Sequence, residues 1–179
     1  HVEERSVFQE ENGENHSFTN RVKKNLKQLK SFIKSTGVSC YRIYDKDMPE
    51  YAVAVDLFED KYLHIQEYKA PKTVDPDKAQ NRFRQVQRSL KFIYPDNKYK
   101  HFYKTRRKQS GKNQYTPISQ SKKFHIVKEN DLGFYVNFED YLDVGLFLDH
   151  RPMRQRIKKN IKGKTFLNLF CYTASMTVY

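Results

Sequence analysis

Three stretches of this chain hold side chains in combinations that do chemistry. The first is Phe166–Thr177. An apolar run, Thr165–Phe170 (TFLNLF), passes into the small and polar residues Cys171-Tyr172-Thr173-Ala174-Ser175, and then into Met176-Thr177-Val178-Tyr179. A buried strand, a small-residue loop and a helix start, in that order, place backbone N–H groups where an anionic ligand group can sit. Ala174 and Ser175 let a ligand approach the backbone. The stretch lacks a Gly-rich fingerprint, so on pattern alone an ordinary strand–turn–helix is the better reading. The second stretch is Lys104–Tyr115 (KTRRKQSGKNQY), where Lys104, Arg106, Arg107, Lys108 and Lys112 are interleaved with Gly111, Asn113, Gln114 and Tyr115. Lys and Arg neutralise phosphates, Asn and Gln read base edges, and Tyr stacks on an unpaired base. The third is Asp149-His150-Arg151, after the nearly continuous apolar run Leu142–Leu148. It caps a helix, or it sets an acid and a guanidinium beside the small-residue loop. No Ser/His/Asp or Cys/His arrangement stands out, and the histidines are scattered singly, so no metal site is expected.

These stretches need elements to hold them. Val22, Leu26, Leu29, Phe32 and Ile33 recur at helical spacing and predict a helix from about Asn20 to Thr36, capped by Thr19 or Asn20 and ended at Gly37. Residues 1–18 lack such periodicity and read as a linker or mobile arm. Cys40–Tyr44, Tyr51–Phe58 and Tyr62–Tyr68 read as strands, the last two as a hairpin. Asp75-Pro76 opens a second helix with buried positions Ala79, Phe83, Val86, Leu90 and Ile93. Lys98–Thr105 reads as a strand. Phe124–Lys128 and Phe134–Phe138 read as an antiparallel pair turning at Asn130–Gly133. Asp149 is expected to cap a short helix carrying Met153, Ile157 and Ile161. Thr165–Phe170, without alternation, reads as a buried parallel strand that needs neighbours on both sides.

Composition narrows the function class. The 179 residues carry 34 Lys+Arg against 21 Asp+Glu, a formal charge of +13, and the positive charge is clustered, which favours a polyanionic partner. The 13 Tyr and 13 Phe argue against disorder. No apolar run approaches a membrane span, and the polar N-terminus is not a secretory signal. Cys40 and Cys171 match no zinc or redox spacing, so free thiols in a cytoplasmic, reducing compartment are expected.

CYRIYDKDMPEYAVAVD, QEYKAPKTVD, KTRRKQSGKNQY, LDVGLFLDHRPMR and FLNLFCYTASMTVY together resemble the C-terminal, guanine-N7-methylating half of the bacterial bifunctional 23S rRNA guanine methyltransferases K/L. The resemblance covers about residues 19–179. It implies an α+β N-terminal domain (19–140) that helps hold RNA, followed by the start of a Rossmann-like α/β methyltransferase domain (141–179). It implies S-adenosylmethionine (SAM) as methyl donor, with Phe147, Asp149, Arg151, Asn168, Phe170, Tyr172, Ala174 and Ser175 toward the cofactor. It also implies 23S rRNA as partner and another methyltransferase half on the same polypeptide. Ala174 stands where the family usually has Gly, and Val144 where it usually has Thr. The family's acidic ribose-binding residue and its Asp-Pro-Pro motif are expected beyond Tyr179, so the catalytic residues are expected there and the 179 residues alone are expected to be inactive. Guanine N7 attacks through a lone pair and has no proton to lose, so alignment rather than a general base is the expected catalytic device. A non-catalytic basic RNA-binding module is the competing reading. A DNA-binding protein fits less well, since no recognition-helix motif is present.

Overall fold

A computed structural model of the chain describes residues 3–106, 117–169 and 171–179, with side chains from residue 17 onward. Ten apolar or aromatic positions on three strands organise it. A four-stranded sheet is formed by β1 (Cys40–Asp45), β2 (Val53–Phe58), β3 (Tyr62–Tyr68) and β4 (Lys100–Arg106), in that order. The first two pairings are antiparallel and β3–β4 is parallel. The crossover to β4 runs through α2 (Pro76–Ile93), because a parallel neighbour cannot be reached by a tight turn. Asp75 caps α2 as expected, its carboxylate accepting from the Lys78 amide at 2.9 Å, with Pro76 opening the helix.

Strand alternation divides the sheet into two unlike faces. Val53, Val55, Leu57, Leu63 and Ile65 meet Phe18 and Val22 of α1 (Glu3–Thr36) and Val86 and Leu90 of α2 in one core. The helix α1 begins at Glu3, upstream of the expected start, so Thr19 and Asn20 lie inside it rather than capping it. Phe18 is fully buried against Tyr44 and Tyr51, with ring centroids 4.9 and 5.2 Å away, and this packing anchors the helix one turn before Val22.

The opposite face carries Cys40, Phe58, Tyr62 and Phe102 at one end, covered by the hairpin β5 (His125–Glu129) and β6 (Leu132–Val136) and by Phe138, Val144 and Leu146. The hairpin turns through Asn130, which takes a φ of 56°. A 3-10 turn, Leu148–His150, leads into α3 (Arg151–Asn160).

Four expectations for this last part are corrected. Asp149 makes no capping hydrogen bond, because the residue before α3 is His150, itself in the 3-10 turn. Nor is the inner face of α3 apolar. Met153 is 51% exposed, while Arg151 and Arg154 are buried on the Glu129 carboxylate. Thr165–Leu169 forms no strand, Leu167 and Leu169 are about three-quarters exposed (75% and 74%), and residues 175–178 form a turn rather than a helix. A strand exists only through its neighbours' hydrogen bonds, and none of the described strands lies alongside this segment. Among the described residues, no helix is long and apolar enough to cross a membrane.

Candidate functional site

The second half of that opposite face is polar. Cross-strand register sets Arg42 beside Asp56 and Asp56 beside His64, with Gln66 two residues further along β3. An irregularity between Arg42 and Tyr44 lets β1 turn Arg42 to this face while Ile43 and Tyr44 stay in the helical core. The segment 137–149 then crosses above. Its course is pinned at Asp140, whose carboxylate accepts from the Ser119 hydroxyl (2.6 Å), the amides of Ser121 (2.6 Å) and Lys122 (2.8 Å) and the Asn137 amide group (2.7 Å). The Ser119 bond, with the others, holds that carboxyl well below its ordinary range, against the opposing effect of desolvation. Gln66 holds the segment to the sheet by donating to the Leu142 carbonyl at 2.9 Å.

Between sheet and segment lies a polar cleft of about 240 Å³, lined by Arg42, Asp56, His64, Gln66, Tyr68, Arg106 and residues 143–149. Arg42 forks onto Asp56 through Nε (2.7 Å) and Nη2 (3.0 Å). Burial pushes the Asp56 carboxyl up and Arg42 pulls it back. Burial, then the charges of Lys104, Arg42 and Arg106, push His64 down to about 3, so its imidazole is neutral.

The other side of the same segment borders a second cavity of about 290 Å³, walled by Phe124, Tyr135, Tyr141 and Tyr172 with Asn137, Asp143, Val144, Gly145 and Thr173. Here two of the expected cofactor stretches meet. The Phe147 and Tyr172 rings lie 5.4 Å apart, and the Thr173 hydroxyl donates to the Gly145 carbonyl at 2.6 Å. Gly145 has a φ of 100°, and a Cβ there would sit 3.3 Å from the Thr173 methyl group. Both facts call for glycine. Gly145→Ala is expected to destabilise the chain by more than about 1 kcal/mol, read from the urea midpoint at unchanged slope.

The remaining expected residues are placed as follows. Asp149 is mostly exposed at the mouth of the polar cleft. Arg151 turns away from both cavities, donating to Glu129 (2.8 Å) and to the Cys40 carbonyl. Asn168 donates to the Thr177 hydroxyl at 3.0 Å, Ala174 takes a φ of 58° in the 171–175 turn, and Ser175 is buried. Of the basic stretch, Lys104 donates to the Glu139 carbonyl and Arg106 pairs with Asp143. Phe170, Arg107, Lys108, Lys112, Gln114 and Tyr115 lie outside the described residues.

Sequence reading missed Arg42, Asp56, His64 and Gln66. The signal was present in Asp56, His64 and Gln66, polar residues on the alternate positions of otherwise apolar strands. Alternation with a polar face normally means solvent, and only the covering segment makes this face a cleft.

The residues present suit SAM in two respects: an aromatic-walled cavity for a flat ring, and the exposed carboxylate of Asp149 nearby for a cationic group.

No family model matches the chain. It is 50% identical over 162 residues to ribosomal RNA large subunit methyltransferase K/L of Pseudomonas fluorescens Pf-5, covering 90% of this chain and 21% of that protein. The protein of the same name from Pseudomonas aeruginosa PAO1 gives 50% identity over 90% of this chain and 22% of its own length. The chain thus spans about a fifth of the length of the curated relatives it matches. Among solved structures, SMU.776, assigned as a methyltransferase and complexed with SAH, superposes with a TM-score of 0.69 at 22% identity, over 91% of this chain and 40% of that one. A Streptococcus mutans structure assigned as a SAM-dependent methyltransferase gives the same score over 41% of its length. The mixed architecture is therefore shared with methyltransferase structures. Over nine-tenths of its length, the chain is homologous to one segment of the ribosomal RNA large subunit methyltransferases K/L.

Proposed function

We propose that this chain is the part of a SAM-dependent 23S rRNA guanine-N7 methyltransferase that holds RNA and begins the cofactor site. The observation that carries this is the packing of residues 171–175 on Gly145–Phe147, in a chain half identical over nine-tenths of its length to the K/L methyltransferases. In this reading the Tyr172 ring, backed by Phe147 5.4 Å away, gives a flat ring one face to stack on, and the turn through Ala174 and Ser175 presents backbone to the ligand. SAM supplies an electrophilic methyl group on a sulfonium. The chain's task is alignment, since guanine N7 needs no proton removed. Among the described residues the carboxylate of Asp149 has no arginine or lysine partner, and in this reading it faces the cation. Lys104 and Arg106, already committed to Glu139 and Asp143, order the end of β4, next in sequence to the basic stretch 107–112.

The test is methyl transfer. The 179-residue chain, and a polypeptide of its relatives' length containing it, are incubated with ribosomal RNA and labelled SAM. Label at guanine N7 is expected from the longer polypeptide and none from the chain alone. Tyr172→Ala in the longer polypeptide is expected to raise the KM for SAM about tenfold with a smaller change in kcat, the pattern of lost binding. RNA binding by both, with transfer by neither, would favour a non-catalytic RNA-binding module.

A further inference from the structure

The polar cleft has unfilled hydrogen-bonding groups. His64 is 2% exposed, and its Nε2 is buried without a partner. Among the described residues, the Nε of Arg106 is likewise buried and unpartnered. A buried polar atom left alone costs about 1–3 kcal/mol, so two on one wall mark a place for a ligand that completes them. The cleft also limits what that ligand is. Arg42 is matched by Asp56, and Arg106 by Asp143, so the buried walls hold no spare charge for a phosphate. At about 240 Å³ the space lies just below the range of small-molecule sites, about 300 to 1,000 Å³. It suits one flat, neutral, polar ring system.

We propose that this cleft is a subsite for a single unpaired RNA base, held edge-on by His64 Nε2 and Arg106 Nε. A base acceptor, such as guanine O6 or N7, takes the Arg106 Nε–H, and the neutral imidazole pairs with the adjoining position in whichever tautomer that position requires. Gln66 keeps the covering segment in place by its bond to the Leu142 carbonyl. Splaying a base into a pocket of this kind is how single-stranded RNA is read. The subsite rests on the proposed RNA substrate and adjoins the aromatic cavity bordered by Tyr172, with which it shares residues 143–145.

The experiment uses the 179-residue chain, with the His64 imidazole followed by NMR during titration with guanosine, adenosine, cytidine, uridine and S-adenosylhomocysteine. A nucleoside is expected to shift the His64 resonances saturably. His64→Phe keeps the ring volume and is expected to weaken that nucleoside about tenfold, with an unchanged circular dichroism spectrum. Should His64→Phe misfold, Arg106→Lys, which removes the Nε–H and keeps the charge, gives the same comparison. No shift with any nucleoside at millimolar concentration, or a shift with S-adenosylhomocysteine alone, would overturn the subsite. Nucleoside binding at His64 with no methyl transfer by the longer polypeptide would leave the subsite standing and remove the proposed enzyme. Transfer without His64 shifts would do the reverse.

Discussion

Replacing Glu129 with Gln is expected to lower folding stability by about 3–5 kcal/mol, the usual cost of breaking a buried ion cluster by removing one partner. The Glu129 side chain is inaccessible to solvent and accepts from Arg154 at 2.7 and 2.8 Å, from Arg151 at 2.8 Å and from the Tyr179 hydroxyl at 2.8 Å. Removing its charge leaves two buried guanidiniums facing each other with no counter-ion. Because domains have only about 5–15 kcal/mol in hand, this one change threatens the docking of α3 and the C-terminal segment. Arg154→Met is expected to cost distinctly less. It leaves a one-to-one pair of Glu129 with Arg151, and it removes the Arg154 Nη1, which has no hydrogen-bond partner in the buried cluster. Urea denaturation of the two variants checks the order. If Arg154→Met is the more damaging, Glu129 is not the centre of the cluster.

The same cluster has a pH signature. Burial alone would raise the Glu129 carboxyl, but hydrogen bonds from Arg154 and Tyr179 and the charges of Arg154 and Arg151 override it and hold the carboxyl below its ordinary value of 4.5. A carboxyl depressed on folding contributes stability that is fully present above that ordinary value. The contribution is lost as the pH falls through the folded-state pKa. The gap in urea midpoint between the wild-type chain and Glu129→Gln is therefore expected to stay constant at neutral pH and to narrow below about 4.5.

Phe138→Ala is expected to cost about 3–5 kcal/mol through the cavity it leaves. The ring is fully buried, stacked on Phe102 at 4.7 Å and packed near Phe58 (5.2 Å), Tyr62 (5.3 Å) and His125 (5.4 Å). It joins the four-stranded sheet to the segment that roofs the polar cleft. Hydrogen exchange should therefore show the β5–β6 amides losing more protection than those of β2 and β3, whose helical-face core is untouched. Phe138→Leu should recover most of the loss. Equal loss of protection in both regions would mean that the two cores melt as one unit.

Much of the four-stranded sheet and its two helices was legible from local pattern. Asp75-Pro76 announced α2 because a carboxylate cap and a proline at the first helical position are local devices. Val53–Phe58 and Tyr62–Tyr68 announced a hairpin because three residues join them. Other features were not local. The anchoring of α1 on the sheet depends on Phe18 finding Tyr44 and Tyr51 across the core. In α3, periodicity in Met153 and Ile157 pointed inward, yet Arg151 and Arg154 took the buried positions, because Glu129 waits on β5 to neutralise them. No single-segment pattern predicts a buried arginine whose partner is 22 or 25 residues away.

The sequence by itself determined the secondary elements with strong periodicity, the clustered positive charge and the likeness to a methyltransferase family, because each is written in neighbouring residues. The tertiary structure alone decided the two cavities. Arg42, Asp56 and His64 stand in one row only through strand register, and Gly145 and Thr173 meet only through folding across 28 residues. The physical reason is the same in both cases. A site is made of side chains whose separation in space is set by sheet pairing and packing, and these forces act between segments that no local pattern connects.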